Sequence, residues 1–278
     1  MFSKVIVVFA FLTVALAGKP YLGFRLPYDL TQVVGGGEAE KSAYPFIVSL
    51  QWGPNKNSAS HFCAGSILNE NWVVTAAHCV QAIPGDVGTF EVKAGKHNIR
   101  NVESTEQIVQ VLKSWVHEKY AGGVGPYDIG LLKLSEPLKM TKEVQSIKLP
   151  KEGSVPQGNA ILCGWGSTSQ SSIPDMPDVL QYVNLEYVDI EKCDEAVRRL
   201  TGSSPVHETN VCTGPLTGGI SACSGDSGGP LFEKTSTDFI LTGIVSWGII
   251  PCGYYGAPSV YTNPAMYNSW IENIINNN

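Results

Sequence analysis

The chain has 278 residues, is 43% hydrophobic, and carries 25 acidic against 19 basic side chains, a formal charge of −6. That length allows one large or two modest domains with a sizeable core, and the acidic balance argues against nucleic acid as a partner. Twenty-nine glycines and 17 prolines, spread along the chain, suit a turn-rich all-β fold, and long amphipathic patterns at helical period are scarce before the C-terminus.

In chain order, Met1–Ala17 reads as a secretory signal peptide. Lys4 precedes an apolar run from Val5 to Ala17 that closes on the small residues Ala15 and Ala17, and the run is too short to span a bilayer. A secreted, soluble product with no membrane attachment is expected. Gly18–Gln32 is a short aromatic-bearing segment ahead of Val33-Val34-Gly35-Gly36. Removal of residues 1–32 takes away Lys4, Lys19, Arg25 and Asp29, leaving 16 basic and 24 acidic side chains, a charge of −8.

Short apolar runs bounded by turn residues then predict strands at 46–50, 62–67, 72–75, 90–94, 107–116 and 129–134. A second series follows at 160–165, 180–188, 211–213, 230–233, 239–247 and 260–262. Many short strands with polar turns suit closed antiparallel barrels. Glu191–Leu200 reads as a short helix. Pro264–Ile275 is the clearest helix, with proline in its first turn and Met266, Tyr267, Trp270, Ile271 and Ile274 on one face. Asn276–Asn278 reads as a frayed tail.

The stretch Ser221-Ala222-Cys223-Ser224-Gly225-Asp226-Ser227-Gly228-Gly229-Pro230 sets a serine among glycines. Backbone N–H groups of Gly225 and Ser227 turned to one point can hold an oxyanion, but a serine hydroxyl is a poor nucleophile without a base. The G-x-S-x-G spacing also fits the elbow of α/β-hydrolases, where acid and histidine follow the serine. No histidine follows Ser227, so that reading fails and the base must lie upstream. Thr75-Ala76-Ala77-His78-Cys79 supplies one, and Tyr127-Asp128-Ile129 places an acid at the start of an apolar strand. The order His78, Asp128, Ser227 is one of the known orders of this constellation.

With these motifs the chain resembles the chymotrypsin-like serine peptidases from about Val33 to its C-terminus. The resemblance implies two six-stranded antiparallel Greek-key β-barrels, 33–146 and 147–278, with the active site between them and a helix at the end. It implies an endopeptidase with His78, Asp128 and Ser227 catalytic, Gly225 and Ser227 as the oxyanion hole, and no cofactor. Ser246-Trp247-Gly248 would pair with substrate backbone. Ser221, Gly248 and Ser259 would shape the primary pocket. An uncharged base and an open wall imply cleavage after Phe, Tyr and Leu, with elastase-like specificity as the alternative. A non-catalytic homologue acting as a binding module is disfavoured because all three residues are kept.

The resemblance also makes 18–32 an activation segment. A cut before Val33 would free an amine to pair with Asp226. Gln32 stands where relatives carry Arg or Lys, so a cut after Leu30 followed by loss of Thr31-Gln32 is the alternative route. The implied partners are protein or peptide substrates, an activating protease and protein inhibitors; the enzyme is expected to be a monomer.

Seven cysteines in a secreted chain point to disulfides, and six can pair in 15 ways. The resemblance selects Cys63–Cys79, Cys193–Cys212 and Cys223–Cys252. Cys163 is left as a small buried thiol. Ala160 and Glu233 stand where many vertebrate relatives carry a further bridge, a pattern similar to arthropod members. His61 reads as structural, with a role in the precursor, and His97, His117 and His207 as loop positions. Some relatives bind calcium in the loop matching Gly95–Gln107. Here Glu106 faces Lys96 at the other acid position, so no metal is expected.

Overall fold

The computed structural model describes residues 21–22, 35–55, 58–85, 87–171 and 173–278. Val33 and the leader Met1–Ala17 lie outside the described residues. Two strands of two residues each come first, β1 (Tyr21–Leu22) and β2 (Gly37–Glu38). Six strands follow: β3 (Ile47–Gly53), β4 (Ser60–Asn69), β5 (Trp72–Thr75), β6 (Thr89–Ala94), β7 (Gln107–Val116) and β8 (Gly130–Leu134). They close in the order β3-β4-β5-β8-β7-β6. The next six are β9 (Asn159–Gly164), β10 (Gln181–Val188), β11 (Asn210–Thr213), β12 (Pro230–Lys234), β13 (Phe239–Ile250) and β14 (Ser259–Thr262). Their pairings run β9-β10-β11-β14-β13-β12 and back to β9. Counted from each barrel's first strand the two orders are identical, so one Greek-key pattern is used twice. Closure removes the exposed edges that short strands otherwise leave.

The seam between the barrels is an apolar core rather than a hinge. Phe46, Phe232, Leu241, Tyr267 and Ile271 join residues of both barrels in one buried cluster. Phe46 and Phe232 meet edge-on with centroids 4.9 Å apart, and Tyr44 meets Phe232 at 5.1 Å. Such pairs are worth about 0.5–1.5 kcal/mol beyond the area they bury. Side chains at the mouth of this seam are therefore held by both halves of the chain.

Among the described residues three α-helices decorate the barrels: α1 (Ala77–Gln81), α2 (Ile190–Thr201) and α3 (Asn268–Asn277). Asp189 caps α2 by accepting from the N–H groups of Glu191 and Lys192, and Gly202 closes it at φ 84°, the left-handed conformation that favours glycine there. The C-terminal helix differs from the single Pro264–Ile275 element expected. Pro264–Met266 forms a 3-10 turn capped by the Asn263 side chain, Tyr267 breaks the spiral at φ −130°, and α3 starts afresh. Tyr267, Ile271 and Ile274 are buried, while Met266 and Trp270 lie only partly so. The tail is helical through Asn277, where Asn277 Nδ2 donates to the Asn273 carbonyl. The disulfides are Cys63–Cys79, Cys193–Cys212 and Cys223–Cys252, each worth roughly 3 kcal/mol in the chain-entropy account. Cys163 is free and fully buried, and burial pushes its thiol pKa well up, which leaves it unreactive.

The candidate active site

His78 sits in α1, directly after the buried strand β5 and beside Cys79, whose disulfide to Cys63 pins this helix to β4. Asp128 lies two residues before β8, the neighbour of β5 in the sheet. Adjacent strands thus deliver the two residues to one rim of the first barrel. His78 Nδ1 lies 2.8 Å from Asp128 Oδ2, and the His78 backbone N–H donates to Oδ1 at 2.9 Å. The acid is 1% exposed. An ionised carboxylate can only accept, so the proton of this contact belongs on Nδ1 and leaves Nε2 as the basic nitrogen.

The second barrel reaches across to the same acid. Ser246 Oγ in β13 donates to Asp128 Oδ2 at 2.6 Å, and Thr262 Oγ1 in β14 donates to the Asp128 carbonyl at 2.8 Å. The sequence reading gave Ser246 only a part in pairing with substrate backbone. Nothing local to the chain signals this contact, because the partners are 118 residues apart.

Ser227 is carried on the loop before β12. Its carbonyl accepts from Ala64 N–H at 2.8 Å. A Cβ on Gly228 would lie 2.1 Å from Thr75 Oγ1 and 3.1 Å from Ala76 N, so the residue after Ser227 packs against the segment leading into His78. That close approach, and a φ of 75°, is why glycine is needed here. Among the described residues the Ser227 hydroxyl has no hydrogen-bond partner; such bonds often tighten only with substrate in place. Gly225 and Ser227 are buried residues, and their N–H groups donate to no group among the described residues. Open backbone donors on buried residues are rare in a folded chain.

Asp226 is fully buried. It accepts from Cys223 N–H at 3.0 Å and Gly166 N–H at 2.9 Å, and no cation faces it among the described residues. Burial raises its pKa to about 7, against the opposing pull of those two hydrogen bonds. A Cβ at Gly164 or Gly166 would lie 2.0 or 2.3 Å from its carboxyl group. The pocket for this acid therefore depends on two glycines that the sequence reading passed over. His61 bridges Ser49 Oγ at 2.9 Å and the Gly225 carbonyl at 3.0 Å. Desolvation lowers its pKa to about 4, so the ring is neutral at physiological pH and can hold the Gly225 peptide by a donated N–H.

The residues assigned to the primary pocket lie close in the fold. Gly248 pairs with Ser259 across β13 and β14. Ser259 Oγ accepts from Ala222 N–H at 3.1 Å, next to Ser221. Ser221 Oγ and Trp247 Nε1 are buried without a partner. Cys63, His78 and Cys79 also cluster at metal-ligand distances, but both sulfurs are bonded to each other, which removes the thiolates a metal needs.

The 95–107 loop does not fit calcium. Lys96 is buried with its ammonium on Glu106 and on the Asn101 carbonyl, so a cation stands where the ion and its six to eight oxygen ligands would be needed. Millimolar calcium should leave the melting temperature unchanged, and a chelator should do the same. A calcium-dependent rise of several degrees would contradict this assignment.

With that geometry in place, comparison with known proteins is informative. A family model described as Trypsin matches residues 33–271. The chain is 39% identical to the protein named Lectizyme from Glossina austeni, over 88% of this chain and 87% of that one. It is 35% identical to a trypsin of Xenopus laevis, covering 91% and 95%, and 36% identical to Trypsin-1 of Astacus astacus, covering 86% and 98%. The buried His–Asp pair, the glycine-flanked serine and the matched span agree, and the chain belongs to the trypsin family of serine endopeptidases, hydrolases of peptide bonds.

Proposed function

We propose that the protein is a secreted endopeptidase that works through an acyl-enzyme and cleaves after Phe, Tyr and Leu, made as a precursor with leader 1–17 and activation segment 18–32. The observation that carries the catalytic reading is the pair of open N–H donors beside Ser227, across from a histidine already oriented by a buried acid. Ser227 Oγ attacks the peptide carbonyl while His78 takes its proton. The carbonyl oxygen becomes an oxyanion held by the Gly225 and Ser227 amides. The His78 cation, stabilised by Asp128, returns the proton to the leaving amine. Water then repeats the sequence on the acyl-enzyme. Ser246 adds a third hydrogen bond to Asp128 and helps to hold that carboxylate in place as the imidazolium forms.

Specificity is read from Ser221, Gly248 and Ser259. Ser221 is neutral, and burying an unpaired substrate cation against it costs several kcal/mol. That separates this chain from trypsin-like members with an acid at the pocket base, although its relatives carry trypsin names. Gly248 adds no side chain to the wall, so an aromatic ring or Leu fits and gains roughly 1.5–3 kcal/mol by burial. Ser259 supports the elastase-like alternative, because its hydroxymethyl group takes volume from the back of the pocket. Matched peptides with Phe, Leu, Ala or Arg before the scissile bond test this. Phe and Leu should exceed Arg in kcat/KM by about 10²–10³, the ratio such an unpaired charge implies. Arg as the best substrate overturns the pocket assignment, and Ala as the best selects the alternative. Covalent labelling of Ser227 by a fluorophosphonate tests the nucleophile separately.

A further inference from the structure

β13 is longer than its neighbours require. Its pairing with β12 ends at Ile244 and its pairing with β14 ends at Gly248, yet the strand continues to Ile250. Among the described residues, one strand covers that end: β1, from the segment ahead of Val33. Tyr21 pairs with Ile250 and Leu22 with Ile249, antiparallel. β1 thus runs toward Gly248, Trp247 and Ser246, the last of which touches Asp128 through its hydroxyl. An extended peptide adding to an open sheet edge gains backbone hydrogen bonds whatever its side chains.

From this pairing we infer that the end of β13 is a binding site for extended peptide, and that residues 18–32 of this same chain are its first occupant, a tethered competitor for the edge that substrate uses. The inference rests on the proposed reading of Ser246–Gly248 as the substrate-pairing stretch. Direction supports it: β1 approaches Ser246 in the sense in which an antiparallel substrate strand must run to bring its carbonyl to Ser227. Charge supports it as well, since residues 18–32 carry Lys19 and Arg25 against Asp29 while the remainder is −8. The tether makes weak contact sufficient. Because Tyr21 and Leu22 belong to the same chain as β13, the contact is intramolecular, with an effective concentration on the order of millimolar, so two residue pairs can cover the site in the uncut chain. The segment contains no cysteine, so a cut before Val33 leaves no covalent link and dilution clears the edge.

The test uses enzyme starting at Val33 and a synthetic peptide spanning residues 18–32. At about 1 mM, the concentration that the tether mimics, the peptide should raise KM several-fold for a substrate of five residues before the scissile bond and leave kcat unchanged. A one-residue ester substrate, too short to reach Ile249, should be affected less. Methylating the peptide's Tyr21 and Leu22 amides should abolish the effect. In the uncut chain, the one of the two adjacent amides Ile249 and Ile250 that faces β1 should exchange with solvent at least several-fold slower than in the cut enzyme. No change in KM, equal inhibition by the methylated peptide, a fall in kcat, or equal exchange rates would each overturn the inference. Fluorophosphonate labelling without peptide keeps the two readings apart: if it fails, the nucleophile assignment falls, while exchange at Ile249 and Ile250 still reports whether the segment sits on β13.

Discussion

Replacing Ser227 or His78 by alanine should lower kcat by about 10⁶ with little change in KM, and replacing Asp128 by asparagine should lower it by about 10⁴, as seen when such a unit is dismantled in the handful of enzymes that share it. The three losses should not add. Each residue acts only through the others: without the base the hydroxyl is not activated, and without the nucleophile the base has nothing to deprotonate. The Ser227→Ala, His78→Ala double variant should therefore be no slower than either single one. Residual turnover above the uncatalysed rate should survive in all of them, because the Gly225 and Ser227 amides still face the oxyanion. Ser246→Ala is the informative control. It removes the 2.6 Å bond to Asp128 but no reacting atom, so it should cost about tenfold, the rough equivalent of one net hydrogen bond. Steady-state kinetics on one peptide amide decide all of this; a Ser227→Ala enzyme that retained one tenth of the activity would remove the nucleophile assignment.

Most of the frame could be read from local pattern. Short apolar runs bounded by turn residues marked stretches such as Gln107–Val116, which forms β7 although Ile108 and Leu112 stay exposed on its outer face. The misses have physical causes. α1 has five residues, too few for helical periodicity to register. β13 was expected to end at Trp247, whereas Gly248 pairs with Ser259 and the strand runs on to Ile250. The C-terminal helix was drawn as one piece because Pro264 suits a first turn; Asn263 caps that turn instead, and Tyr267 resets the backbone. At the site, His78, Asp128 and Ser227 stood out by motif and order. Thr262, Gly164 and Gly166 did not, and Ser246 and His61 were singled out without their contacts to Asp128 and the Gly225 carbonyl, since each contact is made only when strands distant in sequence are brought together.

The uncut chain should be nearly inactive, with kcat/KM lower on the order of 10³, the cost of losing aligned oxyanion donors. Active enzyme should begin at Val33. The reason lies in Asp226, which is buried, holds the peptide next to Ser227 and has no cation among the described residues. Without a positive partner its pKa stands at about 7, above the value of about 3.9 in the unfolded chain. Its burial then favours the neutral form. That contribution is full below pH 4 and is lost as pH rises from there through 7, where the uncut chain should become less stable by up to about 4 kcal/mol. A Val33 ammonium delivered to the same pocket reverses the sign: it favours the carboxylate, and the carboxylate raises the amine's pKa above its free value of about 8. In the cut enzyme the pair should be intact at neutral pH, and activity should fade only as pH climbs through the raised amine pKa. Three measurements bear on this: N-terminal sequencing of active enzyme, melting temperature against pH before and after the cut, and the alkaline limb of kcat/KM. Asp226→Asn should lower kcat by about 10²–10³ and erase that alkaline limb. An uncut chain as active as the cut one, or a different first residue in the active enzyme, would show that Asp226 is satisfied in some other way.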